Sequence, residues 1–146
     1  MSVNETYVNA APDAVFDVLA DPCGYAYWVP GSSKIRAADA DWPEPGTTFH
    51  HTQGAFGIGL PDTTSVLASE RPRTLVLEAR FRPFAINKVE LRLFPSGDGT
   101  RVVMVEYPTG GLAAKLHNPL IEFSLKLRNV EALRRLRRMA EEGRTR

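Results

Sequence analysis

Few side chains in this sequence have the capacity for acid–base or metal chemistry, so their spacing carries most of the information. His50 and His51 are adjacent in a segment with strand character. Successive strand residues point to opposite faces, which argues against the pair sharing one metal ion. His51 has the parity of Phe49 and is the inward candidate. There it could act as a general base or hydrogen-bond a carbonyl near neutral pH, although an ordinary sheet histidine is the simpler role. Glu106 and Tyr107 are the other candidates. If Leu93 pairs with Val102 across the Pro95–Gly99 turn residues, Glu106 shares the inner face with Met104; if Leu93 pairs with Arg101, Tyr107 faces inward. A one-residue slip therefore chooses between a carboxylate and a phenol. His117, just before a long helix, suits a cavity mouth or solvent. With only Cys23 besides three histidines, a zinc site would need carboxylates, and the reading is no metal and no cofactor. The glycines of Gly54-Ala-Phe-Gly-Ile-Gly-Leu-Pro61 match no GxGxxG or Walker pattern, so they form no phosphate loop.

The elements that must position these groups are legible in the pattern. Residues 2–9 read as a strand. Pro12 and Asp13 then open a short helix with Val15, Phe16 and Leu19 on one face, and a second short turn runs through Tyr25 and Trp28 to Pro30-Gly31. From there the period becomes two, with strands predicted at 32–38, 47–53, 63–69, 74–82, 85–94 and 100–107. Leu75, Leu77, Ala79 and Phe81 alternate with polar residues, as do Val89, Leu91 and Leu93, which suits one antiparallel layer with a wet and a dry face. The apolar 54–61 loop, with Phe84 and residues 110–116, suits either a rim around an entrance or a loop packed on the core. A last helix is expected over 119–142, capped by Asn118 and stopped at Gly143. Its first half carries two apolar stripes, Leu116, Leu120, Phe123, Leu127 and Val130 on one side and Ile121 and Leu125 on another. Two dry sides imply enclosure of that half. Later only Ala132, Leu133, Leu136, Met139 and Ala140 form a face.

Composition bounds the rest. The 146 residues, 43% hydrophobic and 24% charged, suit one ordinary globular domain spanning 1–146. A net charge of +1 from 18 basic and 17 acidic residues gives no general reason to expect nucleic acid as a partner. The basic end, from Arg134 to Arg146, reads as a solvated helix terminus. One cysteine, no signal-like N-terminus and no apolar run long enough for a bilayer suggest a cytoplasmic protein, monomer or homodimer, without stable membrane insertion.

The segment APDAVFDVLADP at 11–22, followed by Tyr25, Trp28 and Pro30-Gly31, resembles the opening of the SRPBCC superfamily. That superfamily includes START domains, the allergen Bet v 1 and the polyketide cyclase/dehydrase group. LFPSGDGTRV at 93–102, followed by the long helix, resembles its penultimate hairpin and terminal helix. The resemblance implies an α+β helix-grip fold: a curved antiparallel sheet of seven strands wrapped around a long C-terminal helix, with two short helices after the first strand. It also implies a cavity between sheet and helix. Three functions follow as expectations. The first is binding or carriage of a hydrophobic or amphipathic small molecule (lipid, polyketide or isoprenoid-like). Phe49, Phe56, Leu77, Phe81, Leu91, Met104, Leu116, Leu120, Phe123 and Leu127 would line its pocket, of about 300–1,000 Å³. The second is a cyclase or dehydratase using His51, Glu106 and Tyr107. The third is a protein-interaction module, with a small cavity and an exposed apolar patch outside it. If the first stripe borders the cavity, Leu127→Ala should cost less stability than Leu125→Ala and more affinity for an apolar dye in paired melting and titration experiments.

Overall fold

The computed structural model of the chain describes residues 1–30, 32–55, 58–81, 85–111 and 119–143. Seven strands form one antiparallel sheet: β1 (Ser2–Val8), β2 (Ser32–Ala38), β3 (Thr48–Ala55), β4 (Ile58–Glu70), β5 (Thr74–Phe81), β6 (Ala85–Ser96) and β7 (Gly99–Gly110). Their spatial order is β1-β7-β6-β5-β4-β3-β2, so each strand from β2 to β7 lies beside its sequence neighbour and β1 closes against β7. Helices α1 (Pro12–Leu19) and α2 (Tyr25–Trp28) follow β1, and α3 (Pro119–Glu141) completes the chain. This is the expected helix-grip architecture.

The β6–β7 hairpin turns through Gly97 and Asp98, with Ser96 opposite Gly99 and Gly97 at φ +57°. Gly99 has a separate reason to be glycine: a Cβ there would overlap the Val8 carbonyl oxygen and the Tyr7 ring of β1. From this turn the ladder sets Leu93 opposite Val102, Leu91 opposite Met104 and Val89 opposite Glu106. The first of the two registers left open by the sequence is the one adopted, and Glu106 faces the dry side.

The segment 54–61 is not a rim loop in its described part. Gly54 pairs with Gly59 and Ala55 with Ile58, so β3 and β4 run on through it and the ladder satisfies its backbone groups. Phe56, Phe84, residues 112–118 (with Leu116, His117 and Asn118) and Arg144 to Arg146 lie outside the described residues, as do the side chains of Phe81 and Ile121.

The core gathers where α1 and the later half of α3 meet the sheet. Val15, Phe16, Val18 and Leu19 of α1 pack with Val8, Leu93 and Val102, under Leu133, Leu136, Met139 and Ala140 of α3. The earlier half of α3 differs from the expectation of enclosure: Leu120, Phe123 and Leu127 are 74%, 60% and 54% exposed, and Val130 is exposed as well. At 100° per residue, Leu127 stands about 160° round the axis from Asn129, which is buried. A helix gripped by one sheet buries one side, and the stripe at 120, 123, 127 and 130 is the other.

Two expectations follow. Leu136→Ala should cost about 2–5 kcal/mol in a urea titration, and Leu127→Ala at most about 0.5 kcal/mol, because only the first opens a cavity. On α3, Glu131 receives Arg134 and Arg135, with Nε–O distances of 2.9 Å to each, and their hydrogen bonds hold its carboxyl down at about 2. A depressed carboxyl stabilises the fold above its ordinary value and loses that contribution as acid protonates it. The melting difference between wild type and Glu131→Gln should therefore be constant above about pH 5 and shrink as pH falls from 4.5 through about 2.

Candidate functional site

A cavity of about 50 Å³ lies between the sheet and α3. Its walls come from α2 and the residues after it (Tyr25, Trp28, Val29, Pro30), from the inner faces of β3 to β7 (Phe49, His51, Thr64, Leu77, Ala79, Val89, Met104, Glu106) and from α3 (Arg128, Asn129, Ala132). The volume is far below the 300–1,000 Å³ expected, because large rings occupy the space between the layers. Tyr25 stacks at 4.8 Å on Trp28 and 4.6 Å on Phe49, and Phe49 lies 5.1 Å from the His51 ring. Such tilted pairs add about 0.5–1.5 kcal/mol each beyond the area they bury.

Strand parity explains the two ionisable groups. His51 is buried while His50 is exposed, and its Nε2 lies 3.0 Å from Thr64 Oγ1 on the facing strand. Glu106 is 2% exposed. A buried carboxylate needs compensation worth several kcal/mol, and Glu106 Oε2 obtains it from Asn87 Nδ2 at 2.7 Å and from Arg128 Nη1 at 3.9 Å. Arg128 also donates from Nε to the Pro30 carbonyl oxygen at 3.2 Å, tying α3 to the end of α2. Burial pushes the Tyr25 phenol far above its ordinary range, so it remains protonated and able to donate.

The structure thus brings together five of the residues singled out in the sequence: His51, Glu106, Phe49, Leu77 and Met104. Others lie elsewhere. Tyr107 falls on the opposite face of β7, where its ring sits 5.8 Å from Lys88 Nζ; pairing of Val89 with Glu106 excludes it from the inner face. Leu91 is fully buried in the core beside the cavity, not in its wall. Leu120, Phe123 and Leu127 are outside it, on the solvent side of α3. Sequence reasoning missed Tyr25, Trp28, Arg128 and Asn129. Asn129 had a signal: it continues the inward series Leu125, Ala132 and Leu136, where a polar residue on a dry stripe marks a site. Among the described residues no cluster of three His, Cys, Asp or Glu could hold a metal ion, and no helix is long and apolar enough to cross a membrane.

A family model described as polyketide cyclase / dehydrase and lipid transport matches residues 2–141. The chain belongs to this family. It is thereby a member of the SRPBCC superfamily, as its opening and its terminal hairpin suggested. Among solved structures, a Chromobacterium violaceum protein is similar at 18% identity over 95% of each chain, with a TM-score of 0.74. The di-domain ARO/CYC protein StfQ of the steffimycin biosynthetic pathway is similar at 13% identity, over 96% of this chain and 50% of that one, also at 0.74. Ara h 8.0201 is similar at 12% identity over 96% of each chain, again at 0.74. At these identities the likenesses show the fold. No match among curated protein sequences reaches significance.

The Glu106 arrangement can be checked directly. Asn87→Ala removes an amide donor bonded to a buried carboxylate, and should destabilise the fold by about 1–3 kcal/mol in urea unfolding. Arg92→Ala, which removes an exposed partner of Glu90, should cost less than about 1 kcal/mol.

Proposed function

We propose that this member of the polyketide cyclase/dehydrase and lipid transport family binds or carries a hydrophobic or amphipathic small molecule, taking a compact ligand or the head of a larger one between sheet and α3. The observation that carries the reading is the wall itself: aromatic and aliphatic side chains enclose a space that also meets a small set of fixed polar groups, the composition of a ligand site. The cavity's size narrows the proposal, since about 50 Å³ is a third of the roughly 150 Å³ cavity that admits benzene. A lipid swallowed whole is the wrong image for this site.

The enzyme reading, a cyclase or dehydratase, draws support from His51 and Glu106 lining the same cavity; Tyr107 has no part in it. The interaction-module reading draws support from the small cavity together with the exposed stripe of Leu120, Phe123, Leu127 and Val130. Co-purification of a protein at that stripe, abolished by Leu127→Glu, would favour it.

Native mass spectrometry of the protein purified from its own host is the direct test of ligand binding. A small co-purified mass is expected, and it should fall at least tenfold in Ala132→Leu, whose larger side chain fills the cavity from α3. A folded wild-type protein that arrives empty and takes up no amphipath on titration would overturn the proposal.

A further inference from the structure

The outer face of α3 carries an apolar stripe that none of the described residues covers. Leu120, Phe123, Leu127 and Val130 are each half exposed or more. Met1, 70% exposed, stands beside them, its amino group 3.3 Å from Glu122 Oε1. Together these five side chains offer roughly 500 Å² of apolar surface, near the upper end for the largest patch on a monomer. The stripe lies across the helix from Asn129 and the cavity, so it is no part of the ligand site.

Its spacing and its charges say what covers it. Steps of three, four and three residues are those of the seam between two paired helices, and they read the same in either direction. A two-fold axis at the level of Leu125 therefore lays Leu120 against the partner's Val130, and Phe123 against the partner's Leu127. Such a face matches itself. Two copies of it bury roughly 1,000 Å², the threshold of a specific interface and the size of a weak, reversible one.

Toward the C-terminus the same face of α3 passes to Arg134, Arg137 and Arg138. A parallel pair would set these arginines against their own copies, whereas an antiparallel pair carries each basic end past the start of the partner helix. Arg134 is bonded to Glu131 and Arg137 to Glu141, so the face holds little surplus cation to attract an anionic lipid surface. We infer that α3 pairs antiparallel, through this stripe, with α3 of a second copy of the chain in a reversible two-fold dimer. The inference goes beyond ligand binding and does not depend on it.

Analytical ultracentrifugation of the full chain from about 5 to 500 µM tests it, with a monomer–dimer dissociation constant of about 10–200 µM expected. Leu127→Glu places two carboxylates near the axis and should weaken the dimer at least about tenfold. At the lowest concentration it should melt like wild type, because residue 127 is exposed in the monomer. Spin labels on Arg138→Cys, in a Cys23→Ser background, read the orientation: about 40 Å apart in the antiparallel pair and less than about 20 Å in a parallel one. A chain that stays monomeric at the highest concentration would overturn the inference, whether its stripe then binds phosphatidylglycerol vesicles, another protein or nothing. A dimer indifferent to Leu127→Glu would overturn it by placing the interface elsewhere. The short label distance would overturn the antiparallel pairing.

Discussion

Pairing of Leu93 with Val102 across the Gly97–Asp98 turn is the constraint on which the interior depends. With side chains alternating at period two, this single register sends Met104 and Glu106 inward and Tyr107 outward. It also sets β1, whose partner is the other edge of β7. Ser2 lies opposite Glu106, Asn4 opposite Met104 and Val8 opposite Thr100, so the buried residues of β1 share the inner face. Close approach at Gly99, where a side chain would strike Val8 and Tyr7, anchors both pairings at one point. A slip of one residue would replace a buried, compensated carboxylate by a phenol and lift Val102 and Met104 out of the core.

Once Glu106 is inside, the surrounding polar groups have to answer for its charge. Asn87, aligned on the same face of β6, donates to it directly, and Arg128 reaches it from α3 while also binding the Pro30 carbonyl. These contacts join three parts of the chain, the sheet, the end of α2 and the middle of α3, around one carboxylate. The aromatic cluster does similar work on the other wall, with Tyr25 touching Trp28, Trp42 and Phe49 at once. Its rings occupy space between the sheet and the helices. What remains is small.

Helix α3 divides into two functional halves for a geometric reason. Its later turns lie against β1 and α1 and bury Leu133, Leu136 and Ala140, while its earlier turns present Leu120, Phe123 and Leu127 to solvent. Ion pairs along the outer face take over at Glu131, Arg134 and Arg135. One helix thus supplies the core at one end, the cavity's Arg128 and Asn129 in the middle, and an apolar outer stripe at the other end.

The order of the elements was determined by the sequence alone. Period-two alternation, the Pro12 and Pro119 helix starts and the glycine turns are local signals, and they named each strand and helix to within a few residues, except that the first five residues of β4 had read as loop. Parity also placed His51 inward, because Phe49 two residues earlier marks the dry face. Tertiary structure decided everything that needed a second segment. The choice between Glu106 and Tyr107 required knowing which residue of β6 faces which of β7, and both registers bury apolar residues. The two apolar stripes of α3 looked alike in sequence, since periodicity reports that a face is apolar and not what covers it. The cavity's size was equally invisible, because it is the space left after rings from α2 and β3 have packed against one another. Asn129 and Arg128 stand between these cases: their place in the helical pattern was readable, but their meaning came only from the buried carboxylate that shares the cavity wall with them.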